Sequence, residues 1–123
     1  MKVNFDASRP IYEQIITEIK RMIVRGELNP GDKLPSQRDM ARLLEVNPNT
    51  IQRTYREMEV LSLVETKRGM GTFVKEDEEM VKDLKDEMAR QATERFIREM
   101  NSLGFKKEKI LQWIEKVSEE VLV

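Results

Sequence analysis

Cysteine and histidine are both missing from this 123-residue chain. Without cysteine there is no disulfide framework and no thiolate nucleophile. Without histidine, a zinc site would need carboxylates alone, against the usual nitrogen and sulfur donors. The commonest general base is absent as well. No nucleophile–base pair stands out, so no catalytic residue, metal site or cofactor is assigned and an enzyme is not expected. No stretch approaches the ~20 apolar residues of a membrane span. The N-terminus carries no signal-peptide pattern, so the expected location is the cytoplasm.

What is present is charge, at 37% of residues against 39% hydrophobic. That balance fits a small, mostly helical protein, one domain with an appendage. The formal net charge is −1, which looks wrong for a nucleic-acid binder until it is counted by region. Lys33 to Lys75 holds eight basic and five acidic residues, a surplus of three. Asp77 to Val123 holds nine basic and twelve acidic, a deficit of three. The first region is the expected reading head. So small a surplus predicts modest, strongly salt-dependent non-specific affinity.

The head centres on Leu34 to Val74. Ser36 can cap a helix with Asp39 three residues later, the spacing of a capping box, although Asp reaches back less well than Glu. Met40, Leu43 and Leu44 fall at helical spacing and can face one core. That helix ends near Glu45, because Asn47 followed by Pro48 is a new start, cap then first helical position. The second helix runs from about Pro48 to Leu61, with Ile51, Tyr55 and Met58 on one face and Asn49, Gln52, Arg53 and Arg56 on the other. Two short helices joined this way make a helix-turn-helix, whose second helix reads the major groove with its N-terminal residues. Asn and Gln can bond adenine in a bidentate way, and Arg guanine. Val64–Thr66 and Thr72–Val74 then favour strands around Lys67-Arg68-Gly69-Met70-Gly71, a hairpin tip with two glycines and two cations. The predicted fold is mostly α with a small β wing: a winged helix-turn-helix followed by a helical hairpin.

At this point the chain resembles the DNA-binding domain of the GntR family of bacterial transcription regulators. The resemblance rests on Pro30-Gly31-Asp32-Lys33-Leu34-Pro35-Ser36, on Arg38, Ala41, Leu44, Val46, Thr50, Ile51, Arg53 and Glu57, and on Gly69-Met70-Gly71-Thr72-Phe73-Val74. It covers Arg9 to Val74. The Asn47-Pro48-Asn49-Thr50 variant and the short tail look like the YtrA-type branch. It implies that Arg38 and the first turn of the second helix contact DNA and that the wing completes the grip. The implied set is Ser36, Arg38, Asn47, Asn49, Thr50, Gln52, Arg53, Arg56, Lys67, Arg68 and Gly69. Many relatives carry Arg where this chain has Pro48 and Gln52, so their operator does not transfer. Ser62 stands where Gly is usual, predicting a strained or reshaped turn after the reading helix.

Before the head, Met1–Ala7 is expected to be loosely ordered, with Val3 and Phe5 pairing as a strand or tucking against a partner subunit. Ser8 can cap a first helix with Pro10 inside its first turn, and Ile11, Ile15, Ile19, Met22 and Ile23 form an apolar stripe up to Gly26. Tyr12 reads as packing. Asn29-Pro30-Gly31-Asp32 is a turn signal, and Lys33-Leu34 can add a strand to the wing.

After the head, residues 76–123 form the predicted dimerisation tail. A helix from about Glu78 to Leu103 repeats Leu84, Met88, Ala92, Phe96 and Met100 every four residues. A second, from about Lys107 to Leu122, carries Ile110, Leu111, Ile114 and Val117, with Trp113 and Phe105 as further large anchors. Such a hairpin cannot bury two apolar stripes alone, and a second copy is the simplest cover. Leu84, Met88, Phe96, Met100, Ile110, Trp113, Ile114 and Val117 are the expected seam, or else join the two helices of one subunit. The acids Asp77, Glu78, Glu79 and Asp83 read as a favourable first turn rather than a cation site. The functional expectation is a homodimeric regulator, a repressor reading a palindromic double-stranded operator, with any small-molecule effector unidentified. The alternative is a winged-helix protein–protein adaptor that does not read DNA.

Overall fold

The computed structural model describes residues 1–122, and over these the chain forms five helices and one two-stranded antiparallel sheet. In order they are α1 (Ile11–Val24), α2 (Gln37–Leu44), α3 (Pro48–Val60), β1 (Val64–Lys67), β2 (Gly71–Val74), α4 (Glu78–Ser102) and α5 (Lys107–Val121). By packing they divide into two compact units, Met1–Leu84 and Lys85 onward. The break falls inside α4, later than the boundary at 75/76 expected from composition.

The first unit is built on α1. Ile15, Ile19 and Ile23 recur every four residues, so they share one face, and each is 2% exposed or less. They meet Met40 of α2 and Ile51 and Met58 of α3, and the rim of the wing closes the core with Val64 and Val74. Burying each such side chain contributes about 1.5–3 kcal/mol. Leu43 does not join them. It is 60% exposed, and Ala41 is buried in its place, because an eight-residue helix turns only one narrow face inward.

Two caps differ from expectation. Ser8 does not cap α1, whose N-cap position is Pro10 with no side-chain bond. Its amide and hydroxyl instead donate to Asp6 Oδ1, at 3.0 and 2.8 Å. Those bonds hold the Asp6 carboxyl below the usual carboxylate range. Ser36 does cap α2, accepting from the Asp39 amide at 3.1 Å, but no reciprocal bond from Asp39 forms among the described residues. Its short carboxylate lies 4.0 Å from Arg42 instead.

The N-terminal segment is tied down within its own chain rather than paired as a strand. Buried Gln14 accepts from the Asp6 amide at 2.8 Å and donates to the carbonyls of Asp6 and Arg9. Phe5 packs against the core.

The helix-turn-helix is set by its ends. Helix α2 stops at Glu45, in the left-handed region at φ 54°, and the Val46 amide bonds back to Ala41 O. Asn47 then caps α3, accepting from the Asn49 amide at 2.8 Å, with Pro48 at the first helical position. Tyr55 of α3 donates its hydroxyl to Pro35 O at 2.6 Å, tying α3 to the residue before α2. Burial, with the Asp39 charge as a smaller cause, pushes the Tyr55 pKa well above the usual phenol value. Helix α3 ends in a Schellman turn, in which the Leu63 amide bonds Met58 O and the Ser62 amide bonds Glu59 O. Ser62 occupies its left-handed position at φ 60°.

Strands β1 and β2 pair Val64 with Val74 through to Lys67 with Gly71. Each strand is one residue longer at the tip than the sequence suggested. Lys33 bridges Phe73, and the Leu34 amide bonds Thr72 O at 2.8 Å, so a third segment lines the wing. Beyond the wing, Asp77 caps α4 by accepting from Glu79 and Met80. Met80, Val81 and Leu84 then pack against the core of the first unit. Leu84, expected at a seam between copies or between the two tail helices, is half-buried against the core of the first unit.

The second unit contains the rest of α4 and α5. A Schellman turn through Gly104 (φ 93°) reverses the chain, with the Phe105 amide bonding Met100 O. Phe105 and Trp113 meet edge to face, ring centroids 6.4 Å apart. Among the described residues from Lys85 on, Ile110 alone is buried. Ile110, expected either at the seam or between the two helices of one subunit, is closed off inside its own unit. No helix among the described residues is long and apolar enough to cross a membrane.

Candidate nucleic-acid interface

The exposed face of α3 presents Asn49, Gln52, Arg53 and Arg56 to solvent, while Ile51, Thr54, Tyr55 and Met58 are buried. Periodicity fixes that division: the buried set recurs at three and four residues, and the exposed set does the same on the other side. Two clefts flank the N-terminal half of this face, and Asn49 lines both. One, of about 310 Å³, is lined by Gln37, Arg38, Ala41, Pro48, Asn49 and Gln52. It brings the Arg38 side chain of α2 beside the two amides of α3. The other, of about 480 Å³, is lined by Pro10, Ile11, Tyr12, Asn49, Thr50 and Arg53. Arg56 lines neither and lies a turn further along the helix.

Ser36 and Asn47 occupy the positions expected of them, but each uses its side-chain oxygen to cap a helix. Those bonds set where α2 and α3 begin. Arg38, Arg53, Arg56, Lys67 and Arg68 form no ion pair among the described residues, unlike Arg42, which reaches Asp39, and Arg25, which reaches Glu18 and Glu27. A guanidinium without a carboxylate partner keeps its planar fork free for a base edge or a phosphate.

The wing tip is a turn closed by the Met70 amide on Lys67 O at 2.9 Å, with Gly69 at φ 76°. That position is one a side chain would strain. Arg68, Gly69 and Met70 are exposed. Lys67 places its Nζ over the Phe73 ring, 4.8 Å from the centroid, a cation–π contact that holds the charge on this face of the wing.

Sequence reasoning missed two residues. The sequence marks Lys33 as a family-motif residue and a wing strand but gives it no DNA contact, yet its side chain crosses the outer face of the wing. A Cβ built on Gly71 would lie 2.8 Å from Lys33 Cε. Lys33 pairs with Phe73 and Lys67 with Gly71, so both lysines stand on the same face of the sheet. Alternation with buried Leu34 was the available signal. Tyr12 was read as packing, and it does pack against the core. Its ring also lies under Arg53, whose Cζ is 3.9 Å from the ring centroid. No spacing rule could have paired residues so distant in sequence.

The second unit carries the remaining predicted residues. Phe96, Trp113, Ile114 and Val117 are 37%, 40%, 45% and 40% exposed. With Met100 and Phe105 they line an apolar groove of about 520 Å³. Met88 is half-buried.

Comparison with known proteins agrees with this geometry. Residues 11–74 match the model of the bacterial regulatory proteins of the gntR family. The uncharacterized HTH-type transcriptional regulator YhcF of Bacillus subtilis strain 168 is 52% identical over 119 residues, spanning 97% of this chain and 98% of that protein. The HTH-type transcriptional repressor YtrA of the same organism is 37% identical over 116 residues, spanning 94% and 89%. Among solved structures, a GntR family transcriptional regulator from Listeria monocytogenes superposes with a TM-score of 0.86 at 48% identity, covering 91% of this chain and 98% of that one. An exposed reading helix, free cations and a wing on a fold shared with such regulators lead to one conclusion: this chain belongs to the gntR family of bacterial regulatory proteins, in the short YtrA-type branch, and is a DNA-binding transcription regulator.

Proposed function

We propose that the chain is a cytoplasmic homodimeric repressor that reads a palindromic operator through α3 and grips the flanking backbone with its wing. The observation that carries this reading is the cleft placing Arg38 beside Asn49 and Gln52. It gathers donors suited to guanine and adenine edges at the N-terminal end of α3, the end that enters a major groove. Repression is suggested by the likeness to the YtrA repressor. Asn49, Thr50, Gln52 and Arg53 serve as base or phosphate contacts, with Arg56, Lys33, Lys67 and Arg68 on phosphates.

The dimer rests on the second unit. Many of its large apolar side chains, from Phe96 at 37% to Leu122 at 75%, stay exposed, which one copy cannot remedy and a second copy can. Met88, Phe96, Met100, Trp113, Ile114 and Val117 are assigned to that seam, and any effector pocket would lie in its groove.

The test is selection of bound sequences from a random duplex pool at near-physiological salt, beside Arg38→Ala. A two-fold symmetric motif should emerge, and Arg38→Ala should weaken its binding by ~1–3 kcal/mol. An unsymmetric motif would remove the palindrome. No motif, even at low salt, would favour the adaptor.

A further inference from the structure

We infer that Tyr12 is a specificity-determining residue: its ring sets the plane in which Arg53 reads a guanine of the operator. This rests on the operator-reading function proposed above and assigns a partner to one contact within it.

Arg53 stands one turn after Asn49 on the exposed face of α3. Left alone, such a side chain samples many rotamers, and fixing it on a base costs up to ~2 kcal/mol of rotamer entropy. Here its guanidinium lies 3.9 Å from the Tyr12 ring centroid, and no carboxylate pairs with it among the described residues. Cation–π attraction then restricts it before DNA arrives. The ring is itself held: Tyr12 packs against the head core, and its hydroxyl donates to Glu13 Oε1 at 3.3 Å.

A guanidinium stacked on a ring uses only its face and leaves its in-plane N–H groups available. Tyr12 and Arg53 both line the cleft shared with Asn49 and Thr50. A planar fork held in one plane suits the O6 and N7 acceptors of guanine, and it suits a phosphate less selectively. Tyr12 thus acts through Arg53 as a positioning residue.

The experiment uses the full chain and the selected operator, with each G·C pair of a half-site exchanged in turn. Equilibrium titrations compare wild type, Arg53→Ala, Tyr12→Phe, Tyr12→Leu and the Tyr12→Leu/Arg53→Ala double variant. Arg53→Ala should abolish discrimination at one G·C pair. Tyr12→Leu should lower it at that same pair by roughly 2- to 30-fold, the range spanned by cation–π energies, leaving other pairs unchanged. Tyr12→Phe should retain it, and the double variant should be no worse than Arg53→Ala. The inference is overturned if Tyr12→Leu leaves that pair alone, weakens every pair equally, or adds fully to Arg53→Ala. A wild type that selects no operator would sink the functional reading and this inference together, whereas an operator read indifferently by Tyr12→Leu would sink this inference only.

Discussion

At the scale of single residues, two side chains sit where backbone or burial works against them. Ser62 closes the Schellman turn of α3 at φ 60°. Its hydroxyl is exposed, so replacement by glycine removes left-handed strain without losing a buried contact. Ser62→Gly should raise the unfolding free energy by about 0.5–1 kcal/mol, the left-handed cost of about 1–2 kcal/mol less glycine's added unfolded-state entropy of about 0.5–1 kcal/mol, as read from the urea midpoint. Tyr55 is the second case. With its hydroxyl bonded to Pro35 O, burial raises its pKa, so the native state holds the phenol proton more tightly than the unfolded chain does. The stability this contributes is complete below the unfolded phenol pKa of about 10 and drains away as pH climbs through the higher folded value. Tyr55→Phe should lose roughly 1 kcal/mol at neutral pH. Above pH ~10 the gap between the two proteins should narrow in parallel denaturation curves.

At the scale of elements, sequence periodicity made the reading helix, its cap and the wing legible. Asn47-Pro48 announces α3, and Gly69 and Gly71 bracket the wing turn. Local rules stop where two elements meet. The exposure of Leu43 depends on how α2 lies against its neighbours, not on its place in a repeat. Lys33 looked like a strand residue because nothing nearby in sequence reveals that Gly71 leaves room for its stem. That juxtaposition gives a test: Lys33→Ala should reduce the slope of log affinity against log salt by about 1, the signature of one lost phosphate contact, without changing the selected motif. Gly71 is at φ 119°, with space for a Cβ already taken by Lys33. Gly71→Ala should therefore weaken operator binding at least as much as Lys33→Ala while α-helical circular dichroism is retained.

For the whole molecule, charge and packing divide the chain at different places. Charge changes sign near Asp77, whereas packing continues through Met80, Val81 and Leu84. Truncation after Leu84 should leave a folded head that sediments as a monomer and binds the operator far more weakly. Truncation after Lys75 should also melt at a lower temperature, because it strips three apolar side chains from the core. If both truncations melt together, those residues add nothing to the head. Ile114→Asp in the full chain should likewise yield monomers, since a carboxylate in an apolar seam is costly, and the head should keep its stability.

Trp113 is the chain's single tryptophan, and it lies 40% exposed beside Phe105 in the tail groove. The head holds no indole, so tryptophan fluorescence, excited where the tyrosines do not absorb, is a reporter confined to the tail. A blue shift on concentrating the protein would follow the closing of the groove without any label. The same signal would stay silent if DNA engaged the head alone.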